Sequence, residues 1–313
     1  MGKNSDTLLD YVLKLDVRTP TADANTDYLR ACVAIVKPKS GVETGTLTKV
    51  ISAPAAAELT DNGDIEQLFA GGLNYCYVLP MNSLDLASVL ATAEEKFNTI
   101  LISSDFTEGE ISALELGDFD GVVAASFTTQ AKAKEFAALK NHVAFITNTN
   151  NGSANMFYAF GNLLGGVSWD SKQYIEMPKD DGVADVATAE SLYQDGISFV
   201  LTSAQYGPRL AFFVCGGQAI IAPYVTKELM ANLQGAALQY LNLNRPQYTL
   251  VQAKLLEAYL VADAQLRYTP SILTYVNVEI SLTKNNYEGT VQVSIPAPSA
   301  LWKLKGTLMQ EAY

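Results

Sequence analysis

Apolar and polar residues alternate near the start of the chain, over residues 9–17. The apolar positions of this alternation are Leu9, Tyr11, Leu13, Leu15 and Val17. A period of two residues is typical of a strand that buries one face. A polar segment that contains Pro20 then breaks the pattern, so no adjacent segment can form a hairpin with this strand. The strand must therefore pair with a distant segment, in this chain or in another chain.

The same alternation returns after Pro270, in two segments separated by a turn-forming sequence at residues 284–289. Its apolar positions are Val276, Val278, Ile280 and Leu282 before the turn, and Val291, Val293 and Ile295 after it. Pro296 and Pro298 then interrupt the pattern. A last alternating segment contains Trp302, Leu304 and Leu308. The chain therefore ends as it begins, in an alternating strand.

Between these ends, short apolar runs alternate with amphipathic segments, which predicts a small parallel or mixed sheet with helices. The predicted strands are residues 29–36, 46–52, 74–80, 99–103, 121–126, 143–147 and 197–202. The predicted helices are residues 62–70, 85–97, 129–139, 155–164 and 187–195.

Two further helices are predicted before the C-terminal strands. Thr226 can cap the first, which runs to about Leu241. Thr249, followed three residues later by Gln252, forms a capping box for the second. The apolar face of the second helix is predicted to contain Leu255, Leu256, Tyr259 and Leu260. The pattern as a whole predicts an α+β fold: a mixed α/β core with C-terminal helices and strands, plus extended N- and C-terminal β-strand arms.

Charge and composition exclude several classes of protein. The formal net charge is −12, and a surface of that sign repels nucleic-acid phosphates and anionic membranes. No apolar run approaches the roughly 20 residues of a membrane-spanning helix, and residues 1–10 do not resemble a secretory signal. Only 17% of the residues are charged, so part of the surface is expected to be buried against partners. Cys32, Cys76 and Cys215 are interpreted as buried free thiols, with a disulfide between subunits as the alternative.

No specific catalytic or cofactor motif is present, so the chain is not predicted to be an enzyme. His142 is the single histidine and is interpreted as a surface or strand-capping residue. No phosphate-binding glycine motif or paired-cysteine metal motif occurs, and we expect no cofactor and no metal. Trp169 and Tyr174 lie in a segment that suggests either a small core cluster or an aromatic binding loop.

Polar residues that follow two predicted strands leave one ligand-binding hypothesis open. They are Ser103, Ser104 and Asp105 after the first strand, and Asn148 and Asn150 after the second. In parallel sheets, ligands bind at the carboxyl ends of strands. A structural loop is the favoured interpretation, because no motif accompanies these residues.

The C-terminal order of paired helices, strand, turn, strand, proline-rich motif and final strand resembles the C-terminal domain of contractile bacteriophage tail sheath proteins. Residues 296–300 correspond to the proline-rich motif, and residues 301–308 to a C-terminal arm. Residues 64–80 are similar to a second sheath region, in which a helix precedes glycines and a strand. The resemblance implies an N-terminal arm at residues 1–20 and a C-terminal arm at residues 301–313. It also implies a discontinuous sheath core at residues 21–95 and 221–300, with an inserted α/β domain at residues 96–220.

This resemblance implies a structural subunit of a virion tail, assembled in the host cytoplasm. The sheath would polymerise around an inner tail tube by strand exchange between subunits, and would meet baseplate and tail terminator proteins. The exchanged strands would carry Leu9, Tyr11, Leu13, Leu15 and Val17 at one end, and Trp302, Leu304 and Leu308 at the other. Pro20, Pro296 and Pro298 would lie in the linkers. Contraction would be a rigid-body rotation of subunits that drives the tube through the host envelope.

Two other functions stay open at this stage. One is a different structural protein of the virion tail or baseplate, although the predicted helices disfavour a mostly β tube protein. The other is an α/β domain that binds a small molecule through the strand-end residues named above. Sheath formation predicts wide rings or tubes in electron micrographs, whereas ligand binding predicts a ligand-dependent rise in melting temperature.

Overall fold

A six-stranded sheet forms the centre of the protein, because the chain supplies five short apolar strands that can be buried on both faces. The computed structural model describes residues 26–86, 96–114, 116, 119–148, 152–166, 169, 175–183, 185–205, 207–244, 249–267, 276–283 and 288–294. The strands of the central sheet are β1 (Cys32–Val36), β2 (Thr48–Val50), β3 (Cys76–Pro80), β4 (Thr99–Ile102), β5 (Val122–Phe127) and β6 (His142–Ile146). Their order is β2-β3-β1-β4-β5-β6. All neighbours are parallel except β2, which runs antiparallel to β3. The predicted mixed sheet is thus confirmed.

Alternate residues of the strands enter two separate cores on opposite faces of the sheet. In β1, Cys32, Ala34 and Val36 join one cluster, whereas Val33 and Ile35 join the other. Residues 29–31, predicted as part of this strand, instead complete a 3-10 turn at Thr26–Arg30 and its exit. Leu29 is fully buried there, so burial rather than strand pairing explains its apolar character.

Six helices accompany the sheet in the part of the chain that the structure describes. They are α1 (Ala53–Ala56), α2 (Asp64–Ala70), α3 (Glu108–Ser112), α4 (Gln130–Ala137), α5 (Ala154–Gly165) and α6 (Val186–Gln194). Four of them correspond to predicted helices, whereas the predicted helix at residues 85–97 lies largely outside the described residues. The short α3 was not predicted, although Thr107 and Glu110 form a capping box at its start.

Helices α2 and α5 pack at very short range through glycines. A methyl group on Gly161 of α5 would overlap the carbonyl oxygen of Leu68 in α2, and one on Gly165 would overlap that of Gly72. Close backbone contact of this kind requires residues without a Cβ atom. Apolar side chains on α5, among them Phe157 and Phe160, fill the core between this helix and the sheet.

A β-hairpin and a small ribbon, largely missed by the sequence interpretation, extend the body. The hairpin joins β7 (Phe199–Ser203) to β8 (Gly207–Phe212), and the ribbon joins β9 (Val214–Cys215) to β10 (Gln218–Ala219). Only β7 was predicted. Strand β8 begins with glycine, proline and arginine, so its first half has no apolar alternation to detect.

The C-terminal part contains α7 (Ala222–Asn244), α8 (Leu250–Arg267), β11 (Asn277–Thr283) and β12 (Glu288–Ser294). The predicted start of α7 at Thr226 was wrong by about one turn. Pro223 occupies the second helical position, where a missing N–H has no helical acceptor to lose. On α8, Leu256 and Leu260 are buried as predicted, but Leu255 is half exposed and was wrongly assigned to the buried face.

Two predictions about chain organisation stay predictions. The arms at residues 1–20 and 301–313 lie outside the described residues. Strands from both sides of the predicted boundary at residue 95 are hydrogen-bonded neighbours, since β1 pairs with β4. The division into a core and an inserted domain is therefore not visible as a break in the sheet. In the described part of the chain, no helix has the length and apolar character needed to cross a membrane.

Candidate assembly surface

Within the described residues, the C-terminal hairpin is a sheet of two strands. Seven residue pairs join β11 to β12, from Asn277 opposite Ser294 to Thr283 opposite Glu288. Val278 and Ile280 are buried on one face, whereas Asn277, Glu279 and Ser281 are exposed on the other. The two predicted strands are thus confirmed, and residues 284–287 of the predicted turn lie outside the described residues. A two-stranded sheet is marginal in water unless it packs against other structure or gains a further strand.

Helix α8 supplies the packing on one side of this hairpin. Leu256, Leu260 and Ala264 share the apolar cluster that contains Val278 and Ile280. Glu257 of α8 is only 9% exposed, and its carboxylate accepts a hydrogen bond of 2.7 Å from the backbone N–H of Ile280. Lys254 donates to both carboxylate oxygens at 2.7 Å. A nearly buried charge is tolerated when it is paired and hydrogen-bonded in this way.

Local sequence explains the start of α8. The backbone N–H of Gln252 donates to the Thr249 hydroxyl oxygen at 3.3 Å, as the predicted cap requires. Tyr259 of α8 contacts Tyr240 of α7, with ring centroids 5.2 Å apart. Helix α8 buries its inner side against the hairpin, and α7 packs on the central sheet.

Several apolar side chains near the ends of this helix pair are exposed. Leu243 closes α7 and is 74% exposed, and Leu250 and Val251 open α8 at the same end of the pair with similar exposure. Leu266, at the other end of α8, is 87% exposed. Exposed apolar side chains at the ends of helices provide surface on which another protein can pack.

Buried contacts fix α7 to the central sheet. Tyr224 of α7 is fully buried, and its hydroxyl lies 2.7 Å from the Thr99 hydroxyl of β4. Burial raises the pKa of Tyr224 well above its ordinary value, so the phenol is neutral at neutral pH. Lys227 donates to Asn98 and to Asp120, each at 2.8 Å.

Trp169 belongs to the same junction, which supports the core interpretation over an aromatic binding loop. Its ring stacks on Tyr224 with centroids 4.8 Å apart, and it is 3% exposed. The Arg30 guanidinium lies 4.1 Å from the Trp169 ring centroid and donates to the carbonyl oxygen of Gly166. Tyr174 lies outside the described residues.

Ser103, Ser104 and Asp105, which were considered as part of a ligand site, form hydrogen bonds within the protein. Ser104 donates from both its N–H and its hydroxyl to Asp64, at 3.0 and 2.9 Å. Asp105 accepts from the Ser103 hydroxyl and from the backbone N–H of Lys37. Burial raises the pKa of Asp64, partly offset by these hydrogen bonds.

A second carboxylate accepts hydrogen bonds from residues at the carboxyl end of β6. Asp181 accepts from the Thr147 hydroxyl at 2.6 Å and from the Asn148 N–H at 3.0 Å. The Asn155 side-chain amide donates to the carbonyl oxygen of Lys179 at 3.0 Å and accepts from the Lys179 backbone N–H at 3.1 Å. Asn150 lies outside the described residues. These bonds fix the loops to each other and to α5, which is the structural interpretation favoured by the sequence.

The groups with the greatest chemical reactivity are inaccessible or isolated. Cys32, Cys76 and Cys215 are free and buried, as predicted, and burial raises the pKa of Cys76 and of Cys215 to about 12. His142 begins β6 and contacts Phe136, and desolvation lowers its pKa. Among the described residues, no three His, Cys, Asp or Glu side chains are grouped to hold a metal ion.

The residues predicted to exchange strands lie outside the described part of the chain. These are Leu9, Tyr11, Leu13, Leu15, Val17, Trp302, Leu304 and Leu308, together with the linker prolines Pro20, Pro296 and Pro298. The structure does describe the hairpin that ends next to one arm, and it adds Glu257, which the sequence interpretation did not single out. The three-residue spacing of Lys254 and Glu257 was the available signal, but such pairs usually lie on exposed helix surfaces.

Comparison with known proteins finds similarity in fold but not in sequence. No protein-family model matches the chain, and no curated protein shows significant sequence similarity to it. The chain is similar to a chain of the anti-feeding prophage helical sheath in its contracted state, with a TM-score of 0.62 and 12% identity over 94% of this chain and 98% of that chain. The chain has the fold of contractile sheath proteins.

Two further solved structures share this fold. A chain of the anti-feeding prophage baseplate matches with a TM-score of 0.66 and 11% identity, over 92% of this chain and 94% of that chain. A sheath tail protein from Listeria innocua matches with a TM-score of 0.58 and 10% identity, over 90% of this chain and 97% of that chain. The sheath-like fold thus extends over nearly the whole chain and is not limited to the C-terminal segment that first suggested it.

Proposed function

We propose that this chain is a non-enzymatic structural subunit of a contractile sheath, which polymerises around an inner tube. The observation that carries this proposal is the similarity to sheath proteins over at least nine-tenths of the chain. The exposed apolar residues at the ends of α7 and α8 support it, because they provide surface for contacts between subunits.

Assembly proceeds through strand exchange in this proposal. The N-terminal and C-terminal arms of one subunit add to sheets of its neighbours, where backbone hydrogen bonds supply affinity and alternating side chains supply register. The β11–β12 hairpin is the acceptor in this proposal, because a two-stranded sheet gains stability from a further strand. The linkers with Pro20, Pro296 and Pro298 let subunits rotate as rigid bodies during contraction while the strands stay paired.

The partners follow from the same proposal. They are further copies of this chain in a helical or stacked-ring sheath, a tail tube protein, and baseplate and tail terminator proteins. The protein would be part of a virion tail or a tail-like particle assembled in the host cytoplasm, and its contraction would drive the tube through the host envelope.

Electron microscopy combined with arm variants tests the proposal. The purified full chain is expected to form wide tubes or rings, and deletion of residues 1–20 or 301–313 should leave a folded protein that sediments as a monomer. A sharper comparison places two substitutions on each face of the predicted N-terminal strand. Leu13→Ser with Leu15→Ser should stop assembly, whereas Lys14→Ser with Asp16→Ser should not. Normal tubes from the arm-deleted chains would contradict strand exchange.

The similarity to a baseplate chain favours a second candidate, a sheath-like component at the baseplate end of the particle. The same micrographs distinguish the two functions. A main sheath subunit forms long tubes by itself, whereas a baseplate component forms single rings that do not lengthen as the protein concentration rises.

A further inference from the structure

Two of the three cysteines lie side by side in the central sheet. The parallel register of β1 and β3 pairs Val33 with Tyr77 and continues residue by residue. Cys32 and Cys76 are the first residues of these two strands, so one step back along the same register places them next to each other. Both side chains enter the same apolar cluster, and both are 0% exposed. The chain thus carries a buried pair of thiols on one face of the sheet.

Strand geometry sets the separation of the two thiols. Neighbouring strands are about 4.8 Å apart, and in-register side chains on one face have about the same separation. A disulfide needs Cβ atoms about 3.8 Å apart, so it would require β1 and β3 to approach each other by about 1 Å. Both strands also pair with a further strand, β4 and β2 respectively, and these pairings oppose such a shift. Strand geometry therefore disfavours a disulfide here, in agreement with the free thiols of the structure.

A metal ion fits this separation without a shift of the strands. The bond from zinc to a cysteine sulfur is about 2.3 Å long, so an ion of similar size that binds two sulfurs in line spans about 4.6 Å. Structural zinc and iron–sulfur clusters require four ligands. Among the described residues, however, no three His, Cys, Asp or Glu side chains are grouped to hold an ion. Copper(I), a soft ion that thiolates favour, is the class that matches two sulfur ligands.

The surroundings of the pair suit two uncharged thiols. Burial raises the pKa of Cys76 to about 12, and burial together with the neighbouring Cys76 raises the pKa of Cys32 well above its ordinary value. Both thiols are therefore protonated at neutral pH, as an apolar core requires. A copper(I) ion that binds them displaces both protons, which leaves one negative charge on the complex. Thr99 lies next to Cys32 in register, and its hydroxyl, 2.7 Å from that of Tyr224, is a dipole that offsets part of the cost of this charge.

We propose that Cys32 and Cys76 form a two-thiolate site for a soft ion of the copper(I) class in the core of the central sheet. This inference does not rest on the sheath function, because it uses only the register and the burial of β1 and β3. Each sulfur releases its proton as it binds the ion, so the affinity rises with pH. Since both thiols are buried, the ion enters when the strand ends open locally, and binding is slow.

Titration of the full chain with copper(I) in anaerobic buffer, against a coloured copper(I) chelator as competitor, tests the site. The parent should bind a single ion, and its melting temperature should rise. Cys32→Ala and Cys76→Ala should each weaken binding by at least about 100-fold, because the loss of a ligand exceeds the loss of an outer partner of a ligand. Cys215→Ala is the matched control. It removes a buried thiol of the same apolar cluster and should bind the ion like the parent.

X-ray absorption at the copper edge gives a second measurement, on the parent alone. Two sulfur neighbours and no third ligand are expected. This measurement decides the question even if an alanine variant fails to fold, which circular dichroism would reveal. A parent that binds no ion, or that holds it with three or more ligands, would overturn the proposal. Equal weakening of binding in Cys215→Ala would overturn it as well.

Discussion

The central sheet and the C-terminal hairpin differ in what bonds to the backbone groups at their strand edges. The outer edge of β6 is covered by its own chain, since Ser198 exchanges two backbone hydrogen bonds with Ala144 and Ile146, and Gly216 donates to the carbonyl oxygen of His142. The hairpin, which has two strands among the described residues, donates one hydrogen bond from the Ile280 N–H of β11 to the Glu257 carboxylate. The difference teaches that backbone pairing from the same chain covers one edge of the central sheet, whereas a side chain of α8 takes that place at β11.

The largest expected effect tests whether the body depends on its own close packing. Gly161→Ala places a methyl group against the backbone of Leu68, which should destabilise the protein by about 2–3 kcal/mol. The matched control is Gly235→Ala on α7, where an added Cβ has no atom within 4 Å. That change should raise stability by up to about 1 kcal/mol, because alanine favours the helix. Urea unfolding of both variants measures the difference, and equal effects would contradict the packing argument.

A smaller effect is expected at the junction between the two regions. Tyr224→Phe and Thr99→Val each remove one partner of the 2.7 Å hydroxyl contact between α7 and β4. Each should cost about 1–2 kcal/mol, because the remaining buried hydroxyl loses its partner. The double variant should cost less than the sum, with a coupling of about 1 kcal/mol. Strict additivity in urea unfolding would show that the contact does not join the regions energetically.

The smallest effect depends on pH and concerns only the body. Glu108 accepts bonds from the backbone N–H groups of Thr128 and Thr129 and from the Thr128 hydroxyl. Partial burial acts to raise the pKa of Glu108, but these hydrogen bonds outweigh it and lower the pKa below its ordinary value. A lowered folded-state pKa stabilises the protein above the unfolded-state value, and this contribution is lost as pH falls through the folded-state value.

Because Glu108 is only partly buried and solvent screens its charge, Glu108→Gln should reduce stability at pH 7 by no more than about 0.5 kcal/mol, and the gap to the parent should shrink below about pH 4. Thermal unfolding measures this difference in stability between variant and parent. The scans run from about pH 3 to about pH 7, which covers the titration range of carboxyl groups. Glu135→Gln is the control, since Glu135 forms only a surface pair with Lys132 and should have almost no effect. A gap that stays constant with pH would contradict the role assigned to the Glu108 carboxylate.

Local sequence signals predicted the elements whose character is local. The buried runs of β1 and β4, the alternation of β11, and the cap at Thr249 are each readable within a few residues, and the structure confirms them. Strand β8 was missed because its first half has no apolar alternation, and the start of α7 was predicted too late because the prediction relied on Thr226 as the cap and not on the proline signal at Pro223. The candidate site was predicted only as far as the hairpin, and the arm residues stay a prediction.

The sequence alone therefore determined the α+β class, the alternation at both chain ends, and the sheath-like order of the C-terminal elements. The tertiary structure decided which strands are neighbours, that Trp169 belongs to the junction, and that Glu257 reaches the edge of β11. The physical reason is the sequence distance over which each interaction acts. Periodicity and capping depend on residues within one or two turns, whereas strand order and the burial of Glu257 depend on groups more than 20 residues apart, such as Ile280, which lies 23 residues from Glu257.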